Sequence, residues 1–344
     1  MKTGLLIAGE YSVAEAVSLA ALAEAEGFAS AWYADERFYH EPYGPLALFA
    51  KQTKRIALGP CVTDPYTRHP ALTALAIATL DEISGGRAVL GFGAGRSGLP
   101  EMGLDREKAA QSIREGVQLI RRLLSGEKVS FSGQTVAFHD GKLNLAARPS
   151  LPIFVATTPN SPLTATVAGE VADGAILANG AAPETIGPAL EKIEAGLARG
   201  GRSRRDFSLV LRLDCSIAED GTAARDAVRG VITRLLYRYR DRLDEYLAPY
   251  GVDVSKSWAE KLRATVYQGH SRQPGALDGL AAELPDEALQ PFCLAGTPDE
   301  VLAQALGLKD HGADQIIIQP RPLRADAAAG VARRWARDIL PKLN

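Results

Sequence analysis

Eight times along the chain a short apolar run is followed by a longer stretch of helical period, and this alternation restricts the fold more than any other feature. Residues 5–8 read as the first strand, followed by a helix over 13–26 that Gly27 closes. Strand two is 31–34. A helix over 45–53 leads to strand three, 56–62; Pro70 opens a helix to 83, and 88–92 is strand four. A long amphipathic helix over 106–124 carries Ile113, Val117, Ile120 and Leu124 on one stripe. The alternating stretch around Gly133 reads as a hairpin insertion over about 128–140. Residues 152–156, 175–178, 208–215 and 316–318 are strands five to eight, and 325–340 is a closing helix.

Eight βα units in 344 residues predict an α/β fold, a TIM (β/α)8 barrel with insertions, as a single domain over 1–344. The alternative is a doubly wound sheet with a second domain, but no Pro/Ser/Gly-rich linker divides the chain. The nearest candidate, the arginine-rich run 199–205, reads as a solvated loop. Length beyond the roughly 250 residues of a bare barrel goes chiefly into a helical, irregular insertion at about 222–290, between strands seven and eight.

Composition narrows the function. An apolar fraction of 46% and a charged fraction of 23% suit a soluble chain with a large core. With a net charge of −2 there is no field to hold a polyanion, so no nucleic-acid partner is expected. No apolar stretch approaches the ~18 residues of a membrane span, and the apolar start is too short for a signal peptide. Cys61, Cys215 and Cys293 are scattered without a CxxC pair, which fits a reducing cytoplasm. His40, His139, His270 and His311 lack metal-ligand spacing, there is no HExxH or carboxylate cluster, and no metal is expected. No GxSxG elbow is present either. Arg225, Arg229, Arg234, Arg238 and Arg242 step by four or five residues along a helix. That spacing gives a solvated, salt-bridged face or, alternatively, a grip on an acidic substrate tail.

In a barrel of this kind the active site lies at the C-terminal ends of the strands. Three neighbouring ends are polar: Asp35-Glu36-Arg37, then Thr63-Asp64-Pro65-Tyr66-Thr67-Arg68-His69-Pro70, then Gly93-Ala94-Gly95-Arg96-Ser97-Gly98. Together they predict one continuous pocket wall. The last is a GxGxxG string, but no acid stands at the next strand end about 20 residues on, so it is not a dinucleotide fingerprint. Its glycines either lie flat against a planar ring or simply make a tight turn. Thr157-Thr158-Pro159-Asn160-Ser161-Pro162 runs into a helix, where hydroxyls and amides suit a phosphate; a plain Ser161 cap with Pro162 at the first helical position is the competing reading. His69 is a catalytic candidate, with a structural role as its alternative.

The strings Cys61-Val62-Thr63-Asp64-Pro65-Tyr66-Thr67-Arg68-His69-Pro70, Ala78-Thr79-Leu80-Asp81-Glu82-Ile83-Ser84-Gly85-Gly86-Arg87-Ala88 and Gly91-Phe92-Gly93-Ala94-Gly95 resemble the bacterial-luciferase-like superfamily. The likeness is greatest to methylenetetrahydromethanopterin reductase and related enzymes that use the deazaflavin coenzyme F420. It is dense over 58–95, looser over 4–173, and fades in 222–290. The resemblance implies a flavin or deazaflavin ring at the barrel mouth, backed by a non-prolyl cis peptide at Cys61-Val62. It also implies cofactor contacts from Asp35, from Thr63 and from the Gly93, Ala94 and Gly95 turn, with the phosphate region at Thr157, Thr158, Asn160 and Ser161. The segment 78–88 reads as structure. The reductases place a glutamate on the first strand as proton donor, where this chain has Gly4-Leu5-Leu6-Ile7. Some relatives carry His directly after the Asp35 position; here it is Glu36, a catalytic acid or base if burial raises its pKa, or else a surface partner of Arg37.

The expected activity is hydride transfer between coenzyme F420 and a small organic substrate. The alternative is an FMN-dependent monooxygenase served by a separate flavin reductase, and the third reading a non-catalytic flavin-binding barrel. A homodimer or higher homo-oligomer is expected.

Overall fold

A computed structural model of the chain describes residues 1–95, 98–265, 277–323 and 327–343. Arg96, Ser97, His270 and the start of the expected closing helix lie outside the described residues.

The first half of the chain alternates strand and helix: β1 (Lys2–Ile7), α1 (Val13–Ala25), β2 (Ser30–Tyr33), α2 (Tyr43–Gln52), β3 (Ala57–Pro60), α3 (Pro70–Ser84), β4 (Leu90–Phe92) and α4 (Ala109–Leu124). The hairpin β5 (Val129–Ser132) and β6 (Ala137–Gly141) follows, then β7 (Ile153–Thr157), α5 (Pro162–Val171), β8 (Gly174–Ala178), α6 (Pro183–Arg199) and β9 (Ser208–Ile217). Beyond it lie α7 (Gly221–Tyr237), α8 (Leu243–Leu247), α9 (Lys256–Ala264), α10 (Asp278–Glu283), β10 (Cys293–Gly296), α11 (Pro298–Asp310) and β11 (Gln315–Pro320). The chain finishes with α12 (Ala328–Arg334), a π-helical turn over Trp335–Ile339 and α13 (Leu340–Leu343).

Eight parallel strands run in the order β3-β2-β1-β11-β9-β8-β7-β4, and bridges from Leu58 to Ala88 and from Thr63 to Phe92 close the ring. This is the expected TIM barrel. One strand escaped the sequence reading. β10 pairs Cys293–Gly296 with Asp214–Ile217, on the edge of β9 that β8 has left at Arg212. Four residues with no alternation carry too little pattern to mark a strand.

The side-chain period of two divides each strand between two environments. Leu5, Ile7, Ala31, Tyr33, Leu209, Leu211, Leu213, Ile316 and Ile318 face the helices in the main core. Leu6, Trp32, Phe154, Ile176, Val210 and Ile317 meet inside the barrel. A third apolar cluster, from Val228 to Ala295, packs α7 to α10 together.

Buried ionic residues fix the connections. Asp81 accepts from the Ala88 amide at 3.1 Å and pairs with Arg148 at 2.8 Å, while Arg87 donates to Ala50 O and Ile56 O at 2.8 Å, so the segment 78–88 is structural as read. The run 199–205 is only partly the solvated loop expected. Arg199 and Arg205 are exposed, but Arg202 reaches the last carbonyls of α5 and Arg204 pairs with Asp314 at 2.8 Å. Arg225 and Arg229 share Asp286, the salt-bridged reading of their helix face. No helix among the described residues is long and apolar enough to cross a membrane.

Candidate active site at the barrel mouth

The Cys61–Val62 peptide is cis. Before it, the Cys61 amide donates to Tyr33 O of β2 at 2.8 Å; after it, the Thr63 amide donates to Gly91 O of β4 at 3.1 Å, and Thr63 O accepts from the Gly93 amide at 2.9 Å. The cis bond therefore stands where the chain passes from pairing with one neighbour to pairing with the other, and it turns Cys61 and Val62 together into the barrel. Gly93 lies against this bulge. A Cβ there would come within 2.9 Å of Val62 Cγ2 and 3.0 Å of the Ala156 Cβ, so only glycine leaves the surface flat. The Thr63 hydroxyl is fully buried beside it with no hydrogen-bond partner among the described residues. Burial pushes the Cys61 thiol up to about 12, partly opposed by the Arg212 guanidinium.

Among the described residues, Arg37 brings the three polar strand ends together. Its guanidinium pairs with Asp35 at 3.3 Å and also with Asp64. Asp64 is fully buried and accepts from the Tyr66 and Thr67 amides, both at 2.8 Å, and from the Thr67 hydroxyl at 3.0 Å. Gly98, at φ +72°, closes the wall over Arg37: a Cβ would stand 2.4 Å from the arginine's own Cβ. Asp35 keeps 13% of its side chain exposed and Glu36 is half-buried. Arg37 pairs with Asp35 and Asp64, and the Glu36 charge also acts on its guanidinium.

At the β7 turn the plain-cap reading of Ser161 fails. Pro162 does occupy the first helical position, but the Ser161 hydroxyl bonds Thr158 Oγ1 at 2.9 Å, and Thr157 Oγ1 donates to Ser161 O at 3.2 Å. The first turn of α5 is left without a side-chain cap, an arrangement that suits an anion. Asn160 is exposed, its amide donating to Tyr246 O at 3.4 Å.

His69 stands outside this constellation. Nδ1 accepts from the Ala71 amide at 3.2 Å as the N-cap of α3, and Nε2 bonds Ala137 O of the hairpin at 3.0 Å. Both ring nitrogens are engaged in structure, which corrects its place among the catalytic candidates.

The opposite wall holds residues that the sequence reading did not single out. β9 is the fourth strand from β3 in either direction round the ring. Arg212 and Asp214 follow Val210 at the inward period on β9, and Gln319 and Arg321 follow Ile317 on β11. Asp214 is buried and accepts from Arg321 Nε at 2.6 Å; Arg212 lies 3.7 Å from its other oxygen. Burial opposes ionisation there, yet Arg321 and then Arg212 hold the carboxyl below its ordinary value. Charged residues two apart inside an otherwise apolar strand were the available signal.

Known proteins share this architecture. The family described as luciferase-like monooxygenase matches residues 2–315. The 5,10-methylenetetrahydromethanopterin reductase of Archaeoglobus fulgidus is 33% identical over 344 residues, covering the whole of both chains. An F420-dependent glucose-6-phosphate dehydrogenase of Intrasporangium calvum is 29% identical over 98% of this chain and 96% of its own. The structure of the coenzyme F420 dependent tetrahydromethanopterin reductase from Methanopyrus kandleri superposes with a TM-score of 0.87 at 26% identity, over 100% of this chain and 99% of that one. The likeness to the Methanopyrus kandleri structure runs over the whole of this chain, the closed parallel barrel included. The chain belongs to the luciferase-like family.

Proposed function

We propose that the chain is an F420-dependent oxidoreductase that exchanges a hydride between the deazaflavin and a small organic substrate. The flat surface made by the cis Cys61–Val62 bulge and side-chain-free Gly93 carries this reading, since a planar ring needs a wall without projecting groups. The residues present fit that ring: among the described residues, the Thr63 hydroxyl is buried and unpartnered next to the bulge, and the first turn of α5 is uncapped. When bound, the deazaflavin supplies two-electron chemistry.

The protein's own residues then bind, orient and manage the proton. Asp35, fixed by Arg37, contacts the cofactor; Thr63 and the turn from Gly93 through Ala94 to Gly95 line the ring; Thr157, Thr158, Asn160 and Ser161 receive a phosphate. Glu36 gives or takes the proton that accompanies the hydride. The first strand supports this assignment, because it reads Gly4-Leu5-Leu6-Ile7 where the reductases of the resemblance have their glutamate. Specific methanopterin reduction is accordingly not part of the proposal.

Purified protein titrated with F420 quenches the ring fluorescence, with a dissociation constant in the micromolar range or below. Binding of FMN without F420 defeats the reading in favour of the monooxygenase. A homodimer or higher oligomer is proposed as well, supported by exposed Leu48 on α2 and Leu72 and Leu75 on α3, and light scattering decides it. A cytoplasmic location is proposed on the unpaired cysteines.

A further inference from the structure

Arg212 stands at the barrel mouth without a close acceptor among the described residues. Its side chain is 22% exposed, its one ionic neighbour is Asp214 at 3.7 Å, and among the described residues nothing accepts a hydrogen bond from its guanidinium. A guanidinium carries five donors in a fixed fork, and at 22% exposure those of Arg212 meet solvent, which leaves them open to an incoming ligand. Arg321, 15% exposed, gives Nε to Asp214. The two guanidiniums that share this one carboxylate leave a net positive charge on the wall.

The surroundings are shaped for a polar ligand. Gln319 lies on the inward period of β11 between Ile317 and Arg321, which follows the strand; its buried side-chain oxygen is an acceptor without a partner among the described residues and suits a hydroxyl of the substrate rather than its anionic group. Ser216, two residues past Asp214, has a buried hydroxyl without a partner among the described residues. Arg212 is flanked by Ala178 of β8 and Ile317 of β11, neither of which can bond it. It faces across the mouth towards Cys61, whose thiol feels its charge.

The geometry points to an oxyanion subsite at Arg212 and Arg321, keyed by Asp214 and opposite the cis bulge, that takes a carboxylate or phosphate group of the substrate. Asp214 holds Arg321 and keeps the arginine pair from being merely a repelling cluster, while the Arg212 fork stays available for a bidentate contact. A substrate anchored there lies between this wall and the flat surface at Gly93, which is where a hydride partner of the ring belongs. This substrate class rests on the F420 reading of the same mouth.

Calorimetric titration of inorganic phosphate and, separately, of acetate at constant ionic strength tests the subsite, on cofactor-free and on F420-loaded protein. The proposal expects at least one of the two to bind, with affinity falling about tenfold or more in Arg212→Met and partly restored in Arg212→Lys, while F420 affinity stays within about twofold. Preference for phosphate identifies a phosphate ester substrate, and preference for acetate a carboxylate. No binding of either anion, equal binding by Arg212→Met, or F420 affinity falling in step with anion affinity overturns it, the last by giving the arginine to the cofactor. Arg212→Met leaves the Arg321–Asp214 pair intact, so the test does not depend on a variant that strips a buried carboxylate of its partner. If the wild-type protein binds anion but not F420, the cofactor reading fails and the subsite stands.

Discussion

Gly93 and Val62 pack so closely that a single methyl on the glycine would stand 2.9 Å from Val62 Cγ2. Val62 has little room to retreat, because it packs on the apolar cluster inside the barrel. Gly93→Ala is therefore expected to push the bulge out of place and lower F420 affinity by about tenfold or more, at a stability cost of about 1–3 kcal/mol. Fluorescence titration and thermal unfolding on the same samples separate the two effects. Unchanged affinity would mean that the ring does not lie here.

Arg37 predicts a different balance. Removing it in Arg37→Met leaves Asp64 fully buried without its cation, and breaking a buried pair from one side costs about 3–5 kcal/mol. The variant should melt well below the wild type and bind F420 weakly, because Asp35 loses the group that orients it. Asp35→Ala, by contrast, should bind weakly and melt normally.

Glu115 gives a pH dependence. It is buried in α4 and accepts from the Gln134, Thr135 and Val136 amides at 2.7–2.9 Å, the Thr135 hydroxyl at 2.7 Å and the Gln111 amide at 2.6 Å, which holds the hairpin turn. Burial works against its ionisation, but these donors prevail and hold the carboxyl down to about 2. A folded pKa below the unfolded value of 4.5 means the stabilisation is complete above pH 4.5 and is lost as pH falls towards 2. It amounts to something on the order of 3 kcal/mol. Glu115→Gln should unfold more easily at neutral pH and lose that slope; parallel pH profiles for the two proteins would contradict the assignment.

His69 and Glu36 should separate cleanly. His69→Ala loses an N-cap and the contact to Ala137 O, about 1–2 kcal/mol of stability, with kcat unchanged. Glu36→Gln should retain stability and F420 affinity and lose turnover, seen as slower substrate-dependent bleaching of the deazaflavin. A fall in kcat for His69→Ala without loss of stability would return the histidine to the chemistry.

Much of this was readable from the chain alone. The eight alternations determine the barrel, and the polar ends after β2, β3 and β4 determine one wall of its mouth, because residues following a strand are exposed to whatever occupies the mouth. The opposite wall was harder to see. Arg212 and Asp214 lie within β9, where an apolar neighbourhood makes a charged pair look like noise until the inward period is known. His69 stayed open between a catalytic and a structural role, because a histidine before Pro70 beside a polar loop suits either, and only its contact to Ala137, far along the chain, reveals its work.

The central claim is that the surface at Cys61, Val62 and Gly93 seats a deazaflavin. Parallel fluorescence titrations of the wild type and Gly93→Ala with F420 and with FMN test it most directly. The expected result is micromolar or tighter F420 binding by the wild type, weaker FMN binding, and about a tenfold loss for F420 in the variant. FMN binding alone, binding of neither ring, or an F420 affinity indifferent to Gly93→Ala would contradict it.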